Sequence, residues 1–345
     1  MQAPLITSRP AAAVDSAITD YEKYHTTHGG DVEERKAKYS DMVNKYYDLA
    51  TAFYEYGWGE SFHFAHRLAG EGHVESLKRH EHYLALRLGL KPGNKVLDVG
   101  CGVGGPLREI ALFSGAHITG LNNNAYQVSR GMFHNNRVGP RVTDTCTLVK
   151  GDFMAMPFKE GDFDAVYEID ATCHAPDQVG CYSEVLRVLK PGGYFAGYEW
   201  CATDAYDPSD ARQREIMAEI ELGNGLPDVR TTKQTLASLR AAGFEVVDAA
   251  DLALTADVPW WDPVDPEGFR LSNFRTTRLG RKATHLLLRG LETVRVAPKG
   301  SLEVASMLER AADGLVAGGR AGIFTPLYFF LARKPEKPAA AKAEE

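Results

Sequence analysis

Leu97-Asp98-Val99-Gly100-Cys101-Gly102-Val103-Gly104-Gly105 is the stretch on which the fold turns. Before it, Lys95 to Val99 reads as a short buried strand; after it, Pro106 to Phe113 reads as a helix with proline in its first turn. A glycine turn between strand and helix lets the backbone approach a ligand closely and aims helix N–H groups at negative charge. Gly100, Gly102 and Gly105 also satisfy G-x-G-x-x-G, a weak signal by itself and one shared with dinucleotide binders. Asp98 separates the readings. Dinucleotide binders usually carry an apolar residue there, whereas a carboxylate suits a ligand with a cationic amino group.

S-adenosylmethionine (SAM) offers both an ammonium for Asp98 and a carboxylate for the helix N-terminus, which favours a methyltransferase over a dinucleotide enzyme. The bland alternative is a tight turn in a non-catalytic α/β domain. Working outward, His117 to Leu121 reads as a second strand, Ala125 to Arg137 as a helix and Cys146 to Lys150 as a third strand. Phe163 to Glu168 is a fourth strand, Val179 to Leu189 a helix, Pro191-Gly192-Gly193 a turn and Tyr194 to Glu199 a fifth strand. Such alternation implies an α/β, Rossmann-like fold: a mostly parallel sheet with helices on both faces and ligands beyond the carboxyl ends of its strands. Helices are expected at Ser209 to Leu222, Lys233 to Ala242, Arg281 to Thr293 and Leu302 to Leu315, with strands at Phe244 to Val247 and Leu327 to Leu331.

At 345 residues, 44 % hydrophobic and 25 % charged, the chain has room for a real core. A formal net charge of −7 without a basic cluster argues against a nucleic-acid partner. Five cysteines, Cys101, Cys146, Cys173, Cys181 and Cys201, lack paired zinc or disulfide spacings, and His63, His66, His73, His80 and His82 have little to support them as metal ligands, so no metal is expected. Neither a signal-type apolar run at the N-terminus nor a run of 18 apolar residues occurs, so a membrane span is not expected, although contact with a membrane surface is compatible.

Residues from about Ser16 to Ala50 read as helical, with Tyr39, Met42, Val43, Tyr46 and Tyr47 at helical spacing. In Phe53-Tyr54-Glu55-Tyr56-Gly57-Trp58-Gly59-Glu60-Ser61-Phe62-His63-Phe64, neither period holds, and Gly57 and Gly59 point to a turn that presents its rings. Trp260-Trp261-Asp262-Pro263 reads as a rigid aromatic loop, and Lys334 onward as a loose tail. The expected segments are 1–90 (helical, aromatic lid), 91–250 (cofactor-binding core), 251–335 (C-terminal α+β region) and 336–345 (disordered tail).

The Asp-x-Gly-x-Gly arrangement resembles motif I of the class I SAM-dependent methyltransferases. Gly151-Asp152-Phe153 and Lys190-Pro191-Gly192-Gly193 match that class after the third strand and before the fifth. From about Tyr21 to Pro335 the chain is similar to sterol C24-methyltransferases, most closely the plant and algal, cycloartenol-accepting branch. Tyr54 to Phe64, Leu97 to Arg108, Asp170-Ala171-Thr172-Cys173-His174-Ala175-Pro176 and Tyr198-Glu199-Trp200-Cys201 carry the likeness, with Gly120 to Asn124 and Gly322 to Pro326 also matching. The resemblance implies SAM as cofactor, held by Asp98, Gly100, Cys101, Gly102, Asn122 at the ribose, Gln127, Asp152 and Phe153 at the adenine, and Glu168. Asn122 stands where many class I enzymes carry a carboxylate; an amide can still accept one hydroxyl hydrogen bond and donate another.

In that family a C24=C25 double bond attacks the methyl group, leaving a cation at C25, and the reaction ends with hydride migration and proton loss. Aromatic faces stabilise a cation by about 0.5 to 2 kcal/mol each without offering a nucleophile. Tyr54, Tyr56, Trp58, Phe62, Phe64, Tyr198 and Trp200 are therefore the candidate sterol wall, with plain core packing as the alternative. Asp170, His174, Glu55 and Glu199 are the candidate acids and bases; at Asp170 the family usually carries Glu. The resemblance further implies a peripheral position on the cytosolic side of the endoplasmic reticulum membrane and a homo-oligomer, with Trp260-Trp261 or the C-terminal helices as membrane contact. Two other readings stay open: methylation of another lipid-like acceptor, such as a tocopherol or an acyl chain, and a non-catalytic sterol-binding protein.

Overall fold

Short β-branched and apolar runs, each closed by a glycine or proline turn and followed by a helical period, dictate the succession seen in the computed structural model, which describes residues 32–268, 274, 276–297 and 300–336. Along the chain come α1 (Val32–Ala37), α2 (Tyr39–Gly57), α3 (His73–Arg87), β1 (Lys95–Val99), α4 (Gly105–Ser114), β2 (His117–Asn122), α5 (Ala125–Val138), α6 (Pro140–Thr143), β3 (Cys146–Lys150), β4 (Phe163–Ile169), α7 (Gln178–Val188) and β5 (Leu189–Ala202). Then follow α8 (Ala211–Asn224), α9 (Thr232–Ala241), β6 (Glu245–Asp251), α10 (Arg278–Thr293), α11 (Ser301–Arg320) and β7 (Phe324–Arg333). The predicted helix from Ser16 and the predicted loose tail fall partly outside the described residues.

The seven strands form one sheet in the order β3-β2-β1-β4-β5-β7-β6. β1 pairs in parallel with β2 and β4, β2 with β3, and β4 with β5, whereas β6 and β7 pair antiparallel. Side chains alternate across it. Ile118 and Tyr167 pack on one face with Leu84 of α3, Leu107 of α4 and Val128 of α5. Leu97, Val99, Val166 and Phe195 pack on the other with Tyr182 and Val185 of α7 and Leu239 of α9. Burying each of these side chains contributes about 1.5–3 kcal/mol.

The chain divides into two units. One comprises residues up to Gly59 with Ala202–Val229 and Val258–Thr325; the other comprises Glu60–Cys201, Arg230–Asp257 and the chain from Pro326. The first is helical. α8 and α11 approach closely at glycines: a β-carbon on Gly223 would meet Ala311 at 2.6 Å, and one on Gly318 would meet Ile220 at 2.8 Å. Tyr46, Ala50 and Tyr54 of α2 pack with Met307 and Leu308 of α11.

Several expectations are corrected. Phe53 to Tyr56 are not on a turn: α2 continues through them and ends at Gly57, because a glycine at a helix's last position costs little. Pro191-Gly192-Gly193 is not a turn but part of β5, where Gly192 N–H donates to Lys334 O and Lys334 N–H to Gly193 O, both at 2.9 Å. Lys334 is likewise not loose, since its ammonium binds the Leu186 and Leu189 carbonyls at 2.7 Å. Trp260 is buried edge-on against Phe324, whereas Trp261 is half-buried, packed where any side chain on Gly319 would overlap it.

Candidate functional site

β1 and β4 lie side by side while the chain departs from them in opposite directions along the sheet, which makes their carboxyl ends the place where a doubly wound sheet opens a crevice. Register sets Asp98 opposite Tyr167 and Val99 opposite Glu168. Asp98 is buried and accepts a hydrogen bond from the Tyr167 hydroxyl at 3.0 Å. Burial pushes its pKa up to about 7 despite that bond. The Gly100 and Cys101 amides donate to Leu121 O at 2.8 and 3.1 Å and tie the turn to the end of β2. Gly100 has φ +79°, open to glycine at no steric cost. The result is a cleft with about 330 Å³ of empty space, lined by Phe62, His63, Asp98, Gly100, Cys101 and Gly102, with Glu60, Val103, Pro106 and Ile169.

At the end of β2, Asn122 donates to Gln127 Oε1 at 2.8 Å and approaches Gly102 O at 3.4 Å, so two predicted cofactor residues meet. Asn124 caps α5 by accepting from Gln127 N–H at 2.9 Å. Asp152 accepts from Met154 N–H at 2.8 Å in the turn after β3, and Phe153 packs against the core below it.

The turn after β4 touches the glycine turn: a β-carbon on Gly100 would overlap that of Ala171. Asp170 has a left-handed backbone, φ +54°, a conformation Asp tolerates better than most residues, and its N–H donates to Tyr198 O at 3.0 Å. Burial raises its pKa to about 7, opposed by His63, the Trp200 indole and the Phe64 amide. Its Oδ2 is buried without a hydrogen-bond partner among the described residues. His174 is buried in the short 3₁₀ turn Thr172–His174, behind which Arg230 binds the Ala175 and Pro176 carbonyls at 3.1 and 3.3 Å.

Two predicted site carboxylates have other work. Glu168 is fully buried and accepts from the Ala171 and Thr172 amides at 3.0 and 3.4 Å. Glu199, also fully buried, accepts from the Thr172 hydroxyl, from Tyr182 at 3.2 Å, Gln178 at 3.3 Å and Trp200 N–H at 2.9 Å. Burial raises the pKa of both, and the neighbouring Glu199 raises that of Glu168 further. They hold the turn rather than face the cleft. Tyr198, predicted as sterol wall, is core: it is fully buried, stacks on His80 at 3.6 Å and donates to His80 O at 2.9 Å.

Residues 60–64 close one side of the cleft. Glu60 binds Arg108 at 2.6 Å and His134 at 3.0 Å; the His134 hydrogen bond leads in pulling its pKa to about 2. Arg108 also donates to Val103 O at 2.9 Å and Asn135 at 3.0 Å, so one guanidinium ties this segment to the glycine turn and α5. Gly105 makes room for the Glu60 carbonyl, where a side chain would collide. His63 is sealed in, bound to Glu81 at 3.0 Å and Phe64 O at 2.7 Å; burial lowers its pKa, yet Glu81 and Asp170 leave it raised overall. Phe64 is buried, with its ring 6.2 Å from that of Trp200. Arg108, Glu81 and Tyr167 were not singled out from sequence, and Glu60 and His63 only as part of the aromatic stretch, with His63 also weighed and set aside as a metal ligand. Arg108, which together with Glu109 interrupts an apolar run in this helix, was the available signal.

Tyr54, Glu55, Tyr56 and Trp58 lie in the other unit. There the Tyr54 hydroxyl shares a hydrogen bond with Tyr46 at 2.7 Å, its ring meets Trp58 edge-on at 6.5 Å, and Tyr56 is 56 % exposed.

The family model "Methyltransferase domain" matches residues 97–197, and "Sterol methyltransferase C-terminal" matches residues 271–336. Cycloartenol-C-24-methyltransferase 1 of Oryza sativa subsp. japonica is 62 % identical over 93 % of this chain and 93 % of its own. Cycloartenol-C-24-methyltransferase of Arabidopsis thaliana is 62 % identical over 93 % of this chain and 95 % of its own. The solved structure of geranyl diphosphate C-methyltransferase from Streptomyces coelicolor A3(2), described as a complex with Mg2+, geranyl diphosphate and S-adenosyl-L-homocysteine, matches with a TM-score of 0.63 at 16 % identity. That match covers 86 % of this chain and 97 % of the other, and at such identity it is a likeness of fold. Sequence, sheet order and glycine-turn cleft agree: the chain belongs to the sterol C24-methyltransferases, a family of SAM-dependent class I methyltransferases.

Proposed function

We propose that this chain uses SAM to methylate C24 of a Δ24-sterol side chain of the cycloartenol type, with Asp98 binding the ammonium end and Asp170 receiving the proton. The substrate class is supported by near full-length identity to two cycloartenol-C-24-methyltransferases. Asp98 suits the cofactor because it is a carboxylate beside a glycine cradle whose ionised form burial disfavours, so that a bound ammonium would stabilise it. Asn122 with Gln127 would hold the ribose, and Asp152 with Phe153 the adenine. Bound there, SAM supplies an activated methyl group.

The chain's own residues do the rest. They align the acceptor alkene, exclude water, and meet the cation that forms at C25 as C24 gains its methyl group. Phe62, Phe64 and Trp200 supply aromatic faces that do not alkylate readily. A proton then leaves the sterol for Asp170, whose pKa near 7 suits uptake at neutral pH. His174 and Glu55 remain secondary candidates for proton handling or for the sterol hydroxyl.

The contact of Ala171 with Gly100 carries this reading, because it seats Asp170 beside the cofactor turn. Comparing Asp98→Asn with Asp170→Asn tests it. The first should lose SAM affinity by calorimetry; the second should keep it and lose turnover about a hundredfold or more. Equal loss of SAM binding in both would contradict the division of roles.

A bilayer-resident acceptor supports a peripheral position at a membrane, which we propose to be the cytosolic face of the endoplasmic reticulum; a homo-oligomer is a separate proposal. Among the described residues no helix is long and apolar enough to cross a membrane.

A further inference from the structure

α10 buries only a narrow face. Gly280 and Leu288 are buried, Arg281 pairs with Asp313 at 2.9 Å and His285 with Glu309 at 3.0 Å, so one side of the helix is secured to α11. Its opposite side is apolar and exposed. Leu279, Ala283, Leu286, Gly290 and Val294 recur at helical spacing with Leu287 beside them; Leu286 is 75 % exposed and Leu279 67 %. At 100° per residue, Arg278, Lys282 and Arg289 form a second exposed row directly alongside the first. Arg278 pairs with Glu267 at 3.2 Å; Lys282 and Arg289 have no acidic partner among the described residues. The helix carries four basic residues against one acidic, Glu292, whose carboxylate accepts from Leu302 N–H at 3.0 Å.

We propose that this face of α10 docks the protein on an anionic lipid bilayer, with the leucine row entering the headgroup boundary and Lys282 and Arg289 meeting lipid phosphates. The inference rests on the membrane reading above and names the surface that makes the contact. A basic helix on a chain of net charge −7 is complementary to an anionic surface. A second copy is a poorer occupant, because twofold pairing of α10 would set its basic row against itself.

Flotation of the full chain with vesicles of phosphatidylcholine alone or with about 30 % phosphatidylserine tests this. The wild type should float with the anionic vesicles, and less in about 0.5 M salt. Leu279→Ser/Leu286→Ser/Leu287→Ser should reduce the bound fraction about tenfold, and Lys282→Glu/Arg289→Glu should remove the preference for phosphatidylserine. Leu254→Ser, an 84 % exposed leucine in the other unit, should float like the wild type. SAM affinity by calorimetry should be unchanged throughout, which reports that the variants are folded. If the wild type floats and both α10 variants float equally well, the surface is wrong while membrane association stands. If the wild type floats with neither vesicle, membrane association itself fails. If the leucine variant only converts a dimer to a monomer by sedimentation velocity, the face is a self-association surface and the proposal is overturned.

Discussion

Ala171 lies so close to Gly100 that a β-carbon on the glycine would overlap its methyl group. The contact links the turn after β4 to the turn after β1, and with it the base candidate to the cofactor cradle. Gly100→Ala adds both that overlap and a left-handed strain of about 1–2 kcal/mol. SAM affinity by calorimetry should fall more than about a hundredfold. Adding Ala171→Gly removes the overlap but not the strain, so the double variant should recover to within about five- to thirtyfold of wild type. A double variant as weak as the single one would show that the contact is not the cause.

The proposed pairing of Asp98 with the SAM ammonium predicts pH-dependent binding. The folded pKa of Asp98, about 7, stands above the ordinary 3.8, so between roughly pH 4 and 7 the folded chain holds more protons than the unfolded one. Its contribution therefore makes the ligand-free protein less stable as pH rises through that window, by up to about 4 kcal/mol. An ammonium partner reverses the shift and expels the proton. At pH 6.5, calorimetry in buffers of different protonation enthalpy should report release of about 0.7 proton on SAM binding. Asp98→Asn should release none from this site and show a flatter melting temperature against pH.

Glu60 behaves with the opposite sign. Its pKa, lowered to about 2 by His134 and then Arg108 against its partial burial, means that its contribution is complete above about pH 4.5 and is lost as pH falls through 2. Partly exposed as it is, the pair is worth about 1 kcal/mol. Glu60→Gln should lower the melting temperature by about 2–4 °C, with an offset constant from pH 5 to 8, and weaken SAM binding about tenfold by loosening the segment that carries Phe62 and His63. An unchanged SAM affinity would separate that segment from the cofactor cleft.

Asp170 as proton acceptor must be ionised to work. Turnover should therefore rise with pH through about 7 and then level off. Asp170→Asn is a fair test because Asn also tolerates the left-handed backbone, so the variant changes charge rather than conformation. Its turnover should be about a hundredfold lower or less, and without that acid limb. Persistence of the limb at the same pKa would assign it to another group.

β1 and β3 were legible to the residue, because each is an apolar run bracketed by turn residues and needs no distant partner to be recognised. α3 was not read at all. Its apolar stripe is interrupted by His80 and Glu81, which only become core through His80 stacking on Tyr198 and Glu81 binding His63, both far away in sequence. The same limit hides the buried surroundings of Glu199 and Tyr198. A carboxylate among aromatics looks like a base until Thr172, Gln178 and Tyr182 are seen to surround it. Asp98 and Asn122 stand at positions the sequence marks, at the ends of the strands that the glycine turn joins. The pairing of Glu60 with Arg108 was not legible, since nothing local joins them.

Methyl transfer to a side-chain alkene has a direct readout. Purified protein incubated with SAM bearing a CD3 group and cycloartenol, with products resolved by mass spectrometry, tests it directly. We expect a 24-methylene sterol that retains two deuterium atoms when the departing proton comes from the transferred methyl group, and no product from the side-chain-saturated sterol. Label in neither cycloartenol nor any other Δ24 sterol, from protein that binds SAM, would contradict the account.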